Sequence, residues 1–171
     1  GDTFLYAISP DGMVQWSIHM NGMGQGTEAS PAIAYADEAG TFGTIYAGSA
    51  SLGGGGGVHA YTANGGMAFL QFVPGPVRAS LALAPNGWVI VGDDSGTVRA
   101  YDSSGAIRWT ASVQGAVRGQ ILIENTQQVI LAAGTRVWGL NVADGTINGW
   151  INFTSAPVGV VFDAPRRHLY V

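Results

Sequence analysis

The chain has 171 residues, of which 47% are hydrophobic and 11% charged, so it can bury a core and is expected to form one domain spanning residues 1–171. Its formal net charge of -4, without a basic run, argues against a nucleic-acid surface. No apolar run approaches the roughly 18 residues of a membrane span, so membrane insertion of this segment is not expected. The absence of cysteine excludes disulfides, thiolate metal sites and cysteine nucleophiles.

Short apolar runs follow one another along the chain. After "FLYAI" and "VQW" come "SPAIA", "TIYAG", "VHAYT" and "MAFLQF". The series of four recurs as "SLALA", "WVIVG", "VRAYD" and "IRW", and again as "QILIE", "VILAAG", "VWGLN" and "INGW", before "GVVFD" and "HLYV". Runs of this length, rich in Val, Ile, Leu and Tyr and bounded by Gly, Pro, Asn or Asp, are typical of strands and too short for helices. The sequence therefore predicts an all-β fold.

Four glycines mark an internal repeat. Gly12, Gly65, Gly105 and Gly145 are separated by 53, 40 and 40 residues, and the first interval is enlarged by the Gly-rich segments "NGMGQG", "DEAGTFG" and "SLGGGGG". Four strands in about 40 residues is the signature of a β-propeller blade, a four-stranded antiparallel sheet that packs on the next blade around an axis. We label the strands of each blade A to D from the axis outwards.

The two chain ends supply complementary strands. "GVVFD" and "HLYV" have the form of strands A and B, whereas "FLYAI" and "VQW" have the form of C and D. The sequence thus predicts four blades, the last built from both termini, because closure removes exposed sheet edges. The closing pair would form within one chain, or between two copies in a homodimer that completes a larger ring. A segment of a longer tandem array would show the same phase.

One aromatic residue recurs in strand D of every unit. These residues are Trp16, Phe69, Trp109 and Trp150. Each is paired with a small residue on strand C, namely Ala7, Ala60, Ala100 or Gly139. We interpret the rings as core that fills the gap between blades, with the small residues leaving room for them.

The segments "AISPDGMVQW" and "AYDSSGAIRW" resemble the quinoprotein-type (PQQ-like) repeat. This repeat occurs in pyrroloquinoline-quinone dehydrogenases, in the lipoprotein of the bacterial outer-membrane barrel-assembly machine and in other extracytoplasmic propellers. The dehydrogenases would imply a bound quinone and a calcium ion held by Glu, Asn and Asp, with a catalytic Asp. No such set can be matched here position by position, so catalysis is not expected, and neither is a quinone cofactor.

Stacking the A strands in register gives a candidate ligand site. One position is occupied by Glu28, Arg78, Arg118 and Val158, and the next position holds only Ala or Gly. Small residues suit a crowded axis, so the preceding side chains are expected near its mouth. Two Arg and one Glu there could hold a carboxylate, a phosphate or an acidic peptide end. The alternatives are an Arg–Glu ion pair that closes the mouth and simple exposure.

Other groups give weaker indications. Asp93 and Asp94 in "GDDSGT" could bind calcium through oxygen ligands, with a charged turn as the alternative. The three histidines fall in different units without metal-like spacing, and "GGGGG" at 53–57 is interpreted as a flexible loop.

These observations predict a non-catalytic propeller scaffold or binding module of an extracytoplasmic bacterial protein. We expect a protein partner and no cofactor, calcium being the one ion left open. The alternatives are a quinone-dependent dehydrogenase and a purely structural subunit of a larger assembly.

Overall fold

The computed structural model describes residues 3–20, 24–25, 28–35, 42–124, 127–163, 165–166 and 168–171. Within these ranges the chain forms strands and turns and has no helix with the length and apolar character of a membrane span. The strands are β1 (Phe4–Ile8), β2 (Val14–His19), β3 (Gly24–Gln25), β4 (Ala32–Tyr35), β5 (Phe42–Ser51), β6 (Gly56–Thr62), β7 (Met67–Val73), β8 (Ala82–Leu83), β9 (Val89–Gly92), β10 (Thr97–Tyr101), β11 (Ile107–Ser112), β12 (Leu122–Glu124), β13 (Gln128–Ala133), β14 (Arg136–Asn141), β15 (Ile147–Asn152), β16 (Val161–Asp163) and β17 (His168–Tyr170).

Three antiparallel sheets correspond to the predicted whole blades. Blade 1 contains β4 to β7, and the short β3 adds to it beside the end of β5. Blade 2 contains β8 to β11 and blade 3 contains β12 to β15, each paired in chain order. The predicted A, B, C and D strands are therefore confirmed in all three blades.

The remaining strands form two half blades. β1 pairs with β2, which we call the N-terminal half blade, and β16 pairs with β17, which we call the C-terminal half blade. Apolar clusters join the sheets in the order N-terminal half blade, blade 1, blade 2, blade 3 and C-terminal half blade. The inner strands β4, β8, β12 and β16 are neighbours in the same order.

The predicted closing blade does not form within one chain. Among the described residues, no backbone pairing joins β17 to β1. The two half blades are separate two-stranded sheets, one against blade 1 and the other against blade 3. Closure inside one chain is therefore wrong for this structure, and closure between two copies stays a prediction.

In the N-terminal half blade, blade 1 and blade 2, a large ring lies against the turn glycine of the next blade. The Trp109 side chain is 6% exposed, its Nε1 donates to the Val142 carbonyl at 2.8 Å, and a Cβ on Gly145 would lie 2.5 Å from the ring. Trp16 donates in the same way to the Ala63 carbonyl at 2.9 Å. A Cβ on Gly105 would lie 2.7 Å from Phe69. Glycine is thus required at these turns by ring contact as well as by a positive φ.

Trp150 does not follow this pattern. Its side chain is 53% exposed, and it lies opposite Trp138, whereas Gly149 lies opposite Gly139. In the other hairpins the small residue of strand C lies opposite the aromatic ring itself, as in Ala100 opposite Trp109. The interpretation of Trp150 as core between blades is therefore wrong. Because side chains alternate along a strand, a shift of one residue turns the indole to the other face.

We expect Trp109→Ala to destabilise the fold by about 3 to 5 kcal/mol, since it deletes a buried ring between blades 2 and 3. Denaturant titration measures this loss. Thr110→Ala, at the exposed neighbouring position, is the matched control. A loss below about 1 kcal/mol for Trp109→Ala would contradict the inter-blade packing.

Candidate functional site

Four charged side chains meet where blades 1, 2 and 3 approach the axis. Arg78 and Arg118 lie in the connections that lead into β8 and β12, and Asp94 lies in the turn between β9 and β10. Arg78 donates through Nη1 to Glu28 Oε1 and through Nε to Asp94 Oδ2, the latter at 3.0 Å. Arg118 makes a bidentate pair with Asp94, with Nε to Oδ1 and Nη2 to Oδ2 both at 3.0 Å. We call these four residues the mouth cluster.

The mouth cluster balances its charges. Hydrogen bonds from Arg78 to Glu28, and from Arg118 to Asp94, raise the pKa of both guanidinium groups. Two cations are therefore matched by two carboxylates, and an anionic ligand would have to compete with Asp94. The repeat predicted that Glu28, Arg78 and Arg118 lie at one level near the axis. Of the alternatives, the structure shows the ion pair, which forms between Arg78 and Glu28. The sequence did not predict that Asp94 accepts hydrogen bonds from both arginines. The position of Asp94 in the turn between β9 and β10, on the same side of the sheets as the arginines, could have indicated this contact.

A groove borders the exposed end of this cluster. Arg118 has a side chain that is 66% exposed, and it lines an open cavity of about 210 Å³. The remaining lining residues are small or apolar: Ala116, Ala132, Ala133, Gly134, Ala156 and Pro157. The Arg118 guanidinium could donate hydrogen bonds to the carboxylate of a slender ligand, such as an extended peptide, that lies along this wall of small side chains.

Asp93 and Asp94 have partners of their own in the turn. Asp93 is 1% exposed, and its Oδ1 accepts from the amides of Ser95 at 2.9 Å and Thr97 at 3.1 Å, while Oδ2 accepts from the Gly75 amide at 3.2 Å. This carboxylate therefore fixes the turn to the connection before blade 2. In the described part of the chain, no group of three or more His, Asp or Glu side chains is arranged to hold a metal ion. Calcium binding by this pair stays a prediction that the hydrogen bonds do not favour.

Parts of the Gly-rich segments that enlarge the first interval lie on the side of the sheets that carries the mouth cluster. β3 falls within "NGMGQG", and Gln25 pairs with Ala50, just before "SLGGGGG". In that second segment Gly56 and Gly57 belong to β6, so the expectation of a flexible loop is wrong for these two residues. A Cβ on Gly56 would lie 2.5 Å from the Gly75 carbonyl oxygen, which explains the glycine. Most of "DEAGTFG" lies outside the described residues.

A buried polar network occupies blade 1. His59 is fully buried, with Nε2 2.8 Å from the Ser49 hydroxyl and Nδ1 3.2 Å from the Tyr61 hydroxyl. The arrangement contains a Ser–His contact, but Ser49, His59 and Tyr61 are all fully buried, so a substrate has no access to it. Its role is structural. Burial lowers the pKa of His59 to about 4.

This network predicts a pH-dependent stability. His59 takes up a proton near pH 6.5 in the unfolded chain but only near pH 4 in the folded one, so its contribution is complete above pH 6.5 and declines as the pH falls towards 4. The decline amounts to about 3 kcal/mol. Chemical denaturation at pH 7 and pH 5 should show about 2 kcal/mol of this loss in the wild type, because pH 5 lies above the folded pKa, and a smaller loss in His59→Gln. His168→Gln, at an exposed site, is the control, and equal pH dependence in all three proteins would contradict the assignment.

The mouth cluster predicts an unusual response to substitution. Asp94→Asn removes the carboxylate that neutralises both arginines, so the affinity for inorganic phosphate should rise relative to the wild type, as measured by titration calorimetry. Asp163→Asn, which removes an exposed ion pair to Arg166 outside the cluster, is the matched control. An unchanged affinity in Asp94→Asn would show that Asp94 does not control anion access.

The sequence model of a protein family described as outer membrane protein assembly factor BamB, a PQQ-type repeat, matches residues 1–158. The chain belongs to this family. The match extends over the N-terminal half blade and all three whole blades, and it confirms the resemblance to PQQ-like repeats.

Solved structures support the same fold. BamB from Moraxella catarrhalis is 20% identical with a TM-score of 0.57, covering 74% of this chain and 38% of that one. Sqt1 from Saccharomyces cerevisiae is 14% identical with a TM-score of 0.70, covering 88% and 43%. The computationally designed Ika8 protein is 14% identical with a TM-score of 0.63, covering 95% and 51%. This chain thus spans about half or less of each of these proteins. No curated protein sequence matches it.

Proposed function

We propose that this chain is a non-catalytic propeller scaffold that binds a protein partner in an extracytoplasmic bacterial assembly. The observation that carries the proposal is the match of residues 1–158 to a family described as an outer-membrane protein assembly factor. The rigid stack of blades supports it, because connections at one end of the stack present side chains on a fixed frame.

The mouth cluster and the groove beside Arg118 are the proposed contact site. Arg118 is held by Asp94 in a bidentate pair and still has a largely exposed side chain. A carboxylate from the partner can join this cluster by displacing Asp94 from one guanidinium edge. The small residues of the groove leave space for the partner's backbone to approach.

A quinone-dependent dehydrogenase is the second candidate, because its propeller is built from the same type of repeat. The described residues do not fit the calcium site of such an enzyme. Calcium takes six to eight oxygen ligands, and the described residues assemble no acidic group of that kind. The acidic side chains nearest the axis are engaged by amides of the turn or by arginines. We therefore derive no catalytic step.

The binding proposal is tested with purified components of a bacterial outer-membrane assembly machine on a biosensor. Saturable binding to one component is expected. Arg78→Ala combined with Arg118→Ala should weaken it at least about tenfold, because charge-assisted contacts are lost. Arg108→Ala, which removes an exposed, ion-paired arginine on β11, is the control.

The result that would overturn the proposal is the absence of binding to any component, or equal binding by the double variant and the control. An unchanged melting temperature shows that the double variant is folded. For the dehydrogenase candidate, the chain is mixed with calcium and quinone and then desalted. We expect no retained chromophore, and a stoichiometric one would restore that candidate.

A further inference from the structure

Three side chains form a stack on the outer strands of blade 3, at the side of the sheets that carries the mouth cluster. The Arg136 Cζ atom lies 5.4 Å from the ring centroids of both Trp138 and Trp150. The two indole centroids are 5.3 Å apart, and their planes are inclined by 41°. Arg136 follows the turn between β13 and β14, which is the counterpart of the turn that carries Asp94 in blade 2. We call Arg136, Trp138 and Trp150 the rim clamp.

Hydrogen bonds hold the guanidinium of Arg136 in a fixed plane. Its Nε donates to Asn152 Oδ1 at 2.8 Å, and its Nη1 donates to Gln114 Oε1. Gln114 lies in the connection that follows β11 of blade 2, so this second bond crosses the boundary between blades 2 and 3. A guanidinium that is already stacked and hydrogen-bonded loses little conformational freedom when it binds a further ligand.

The positive charge of Arg136 is not paired with a carboxylate among the described residues. Four of the six arginines that the structure describes form ion pairs with Asp or Glu, namely Arg78, Arg108, Arg118 and Arg166. Within the same ranges, the only buried side-chain nitrogen or oxygen without a partner is Arg99 Nε, so the Nη2 group of Arg136 is open to solvent. An oriented and accessible guanidinium can bind a carboxylate through its remaining N–H groups.

Trp150 gives the rim clamp an exposed apolar surface. It is 53% exposed, whereas Trp138 is 5% exposed and belongs to the core between blades 2 and 3. Trp and Arg are among the residue types that most often carry the binding energy of a protein interface. The rim clamp thus presents a charged group and an aromatic ring side by side, on a frame that the core holds in place.

The groove beside Arg118 is bounded by the segments that carry the two arginines. Its lining includes Ala116, which lies between Gln114 and Arg118 in one connection, and Gly134, which lies two residues before Arg136. The Gly134 amide donates to the Ala116 carbonyl at 3.4 Å, so the two segments are in contact. Gln114 and Arg118 are four residues apart, which limits their Cα separation to about 14 Å. The mouth cluster and the rim clamp are therefore close enough for one extended ligand to reach both.

We propose that this side of the sheets binds an extended acidic peptide segment across the boundary between blades 2 and 3. One carboxylate of the segment pairs with Arg118, the backbone lies along the groove, and a second carboxylate pairs with Arg136. An apolar side chain next to the second carboxylate packs on Trp150. This inference rests on the proposed function, because it names the chemistry of the partner at the proposed contact site and adds the rim clamp to that site.

The geometry sets the spacing of the two acidic residues. An extended segment advances about 3.3 Å per residue, so four residues span about 13 Å. Alternate side chains of such a segment point to the same side, so the separation is an even number of residues. We therefore expect acidic residues four positions apart. A single small anion would contact one arginine only and would not show this dependence on spacing.

The first test is titration calorimetry at low salt with the blocked peptide Leu-Glu-Ser-Gly-Ser-Glu-Leu. The comparison peptide Leu-Ser-Glu-Glu-Gly-Ser-Leu has the same composition and charge but adjacent glutamates. We expect the wild type to bind the first peptide at least about fivefold more tightly, because only that peptide reaches both arginines. Arg136→Gln should abolish this preference.

Arg166→Gln, which alters an exposed arginine paired with Asp163, is the control and should keep the preference. An unchanged melting temperature shows that each variant is folded. Three results would overturn the inference: no binding of either peptide, equal affinity of the wild type for both, or a preference that persists in Arg136→Gln.

The second test uses the component of the outer-membrane assembly machine that binds in the biosensor experiment. Trp150→Ala should weaken its binding at least about fivefold, and Trp150→Phe, which keeps an aromatic ring, should restore most of the affinity. Phe72→Ala is the matched control, since Phe72 is 70% exposed on β7 of blade 1.

The two tests separate this inference from the proposed function. If binding of the component responds to Arg78→Ala with Arg118→Ala but not to Trp150→Ala, the inference is overturned and the proposed function stands. If no component binds, the proposed function is overturned, and the peptide titration decides whether the acidic segment has a site here.

Discussion

The structure depends on the contact between a large ring of one unit and the turn glycine of the next. Trp109 against Gly145 is the most buried example, and its indole also donates a hydrogen bond across the gap. This contact fixes the spacing of the sheets at the outer strands, while inner strands meet through backbone bonds such as Ser80 to Gly119 at 2.8 Å. The blades therefore stack in one order, and the mouth cluster is placed by that stacking.

Much of the fold could be predicted from spacing alone, because turn glycines and short β-branched runs are local signals. Trp150 was assigned to the wrong position because the fourth unit was aligned by its aromatic residue. Counted from the turn glycine, Gly149 stands four residues after Gly145, as Trp109 stands four after Gly105. The sequence also predicted that Glu28, Arg78 and Arg118 share one position in the repeat. Their contacts with Asp94 depend on the relative placement of neighbouring blades, and the pattern of a single repeat contains no information about that placement.

The charges near the axis show why a pattern of arginines does not by itself define an anion site. The same turn that carries Asp94 also carries the buried Asp93, which anchors the turn through backbone amides. A rigidly anchored turn holds the Asp94 carboxylate at a fixed place between two guanidinium groups. The site is thus set close to neutrality by the fold, and an external carboxylate would have to compete with Asp94 for the two guanidinium groups.

The bulge common to the outer hairpins has a consequence for how such repeats diverge. In all four hairpins the register shifts just after the small residue of strand C. Side chains alternate between the two faces of a strand. An insertion of one residue after the turn therefore moves every later side chain of the outer strand to the opposite face of its sheet. A family of tandem repeats can therefore convert a sealed boundary between sheets into an open one by a single inserted residue, because a small residue then takes the place of the ring, as Gly149 does opposite Gly139.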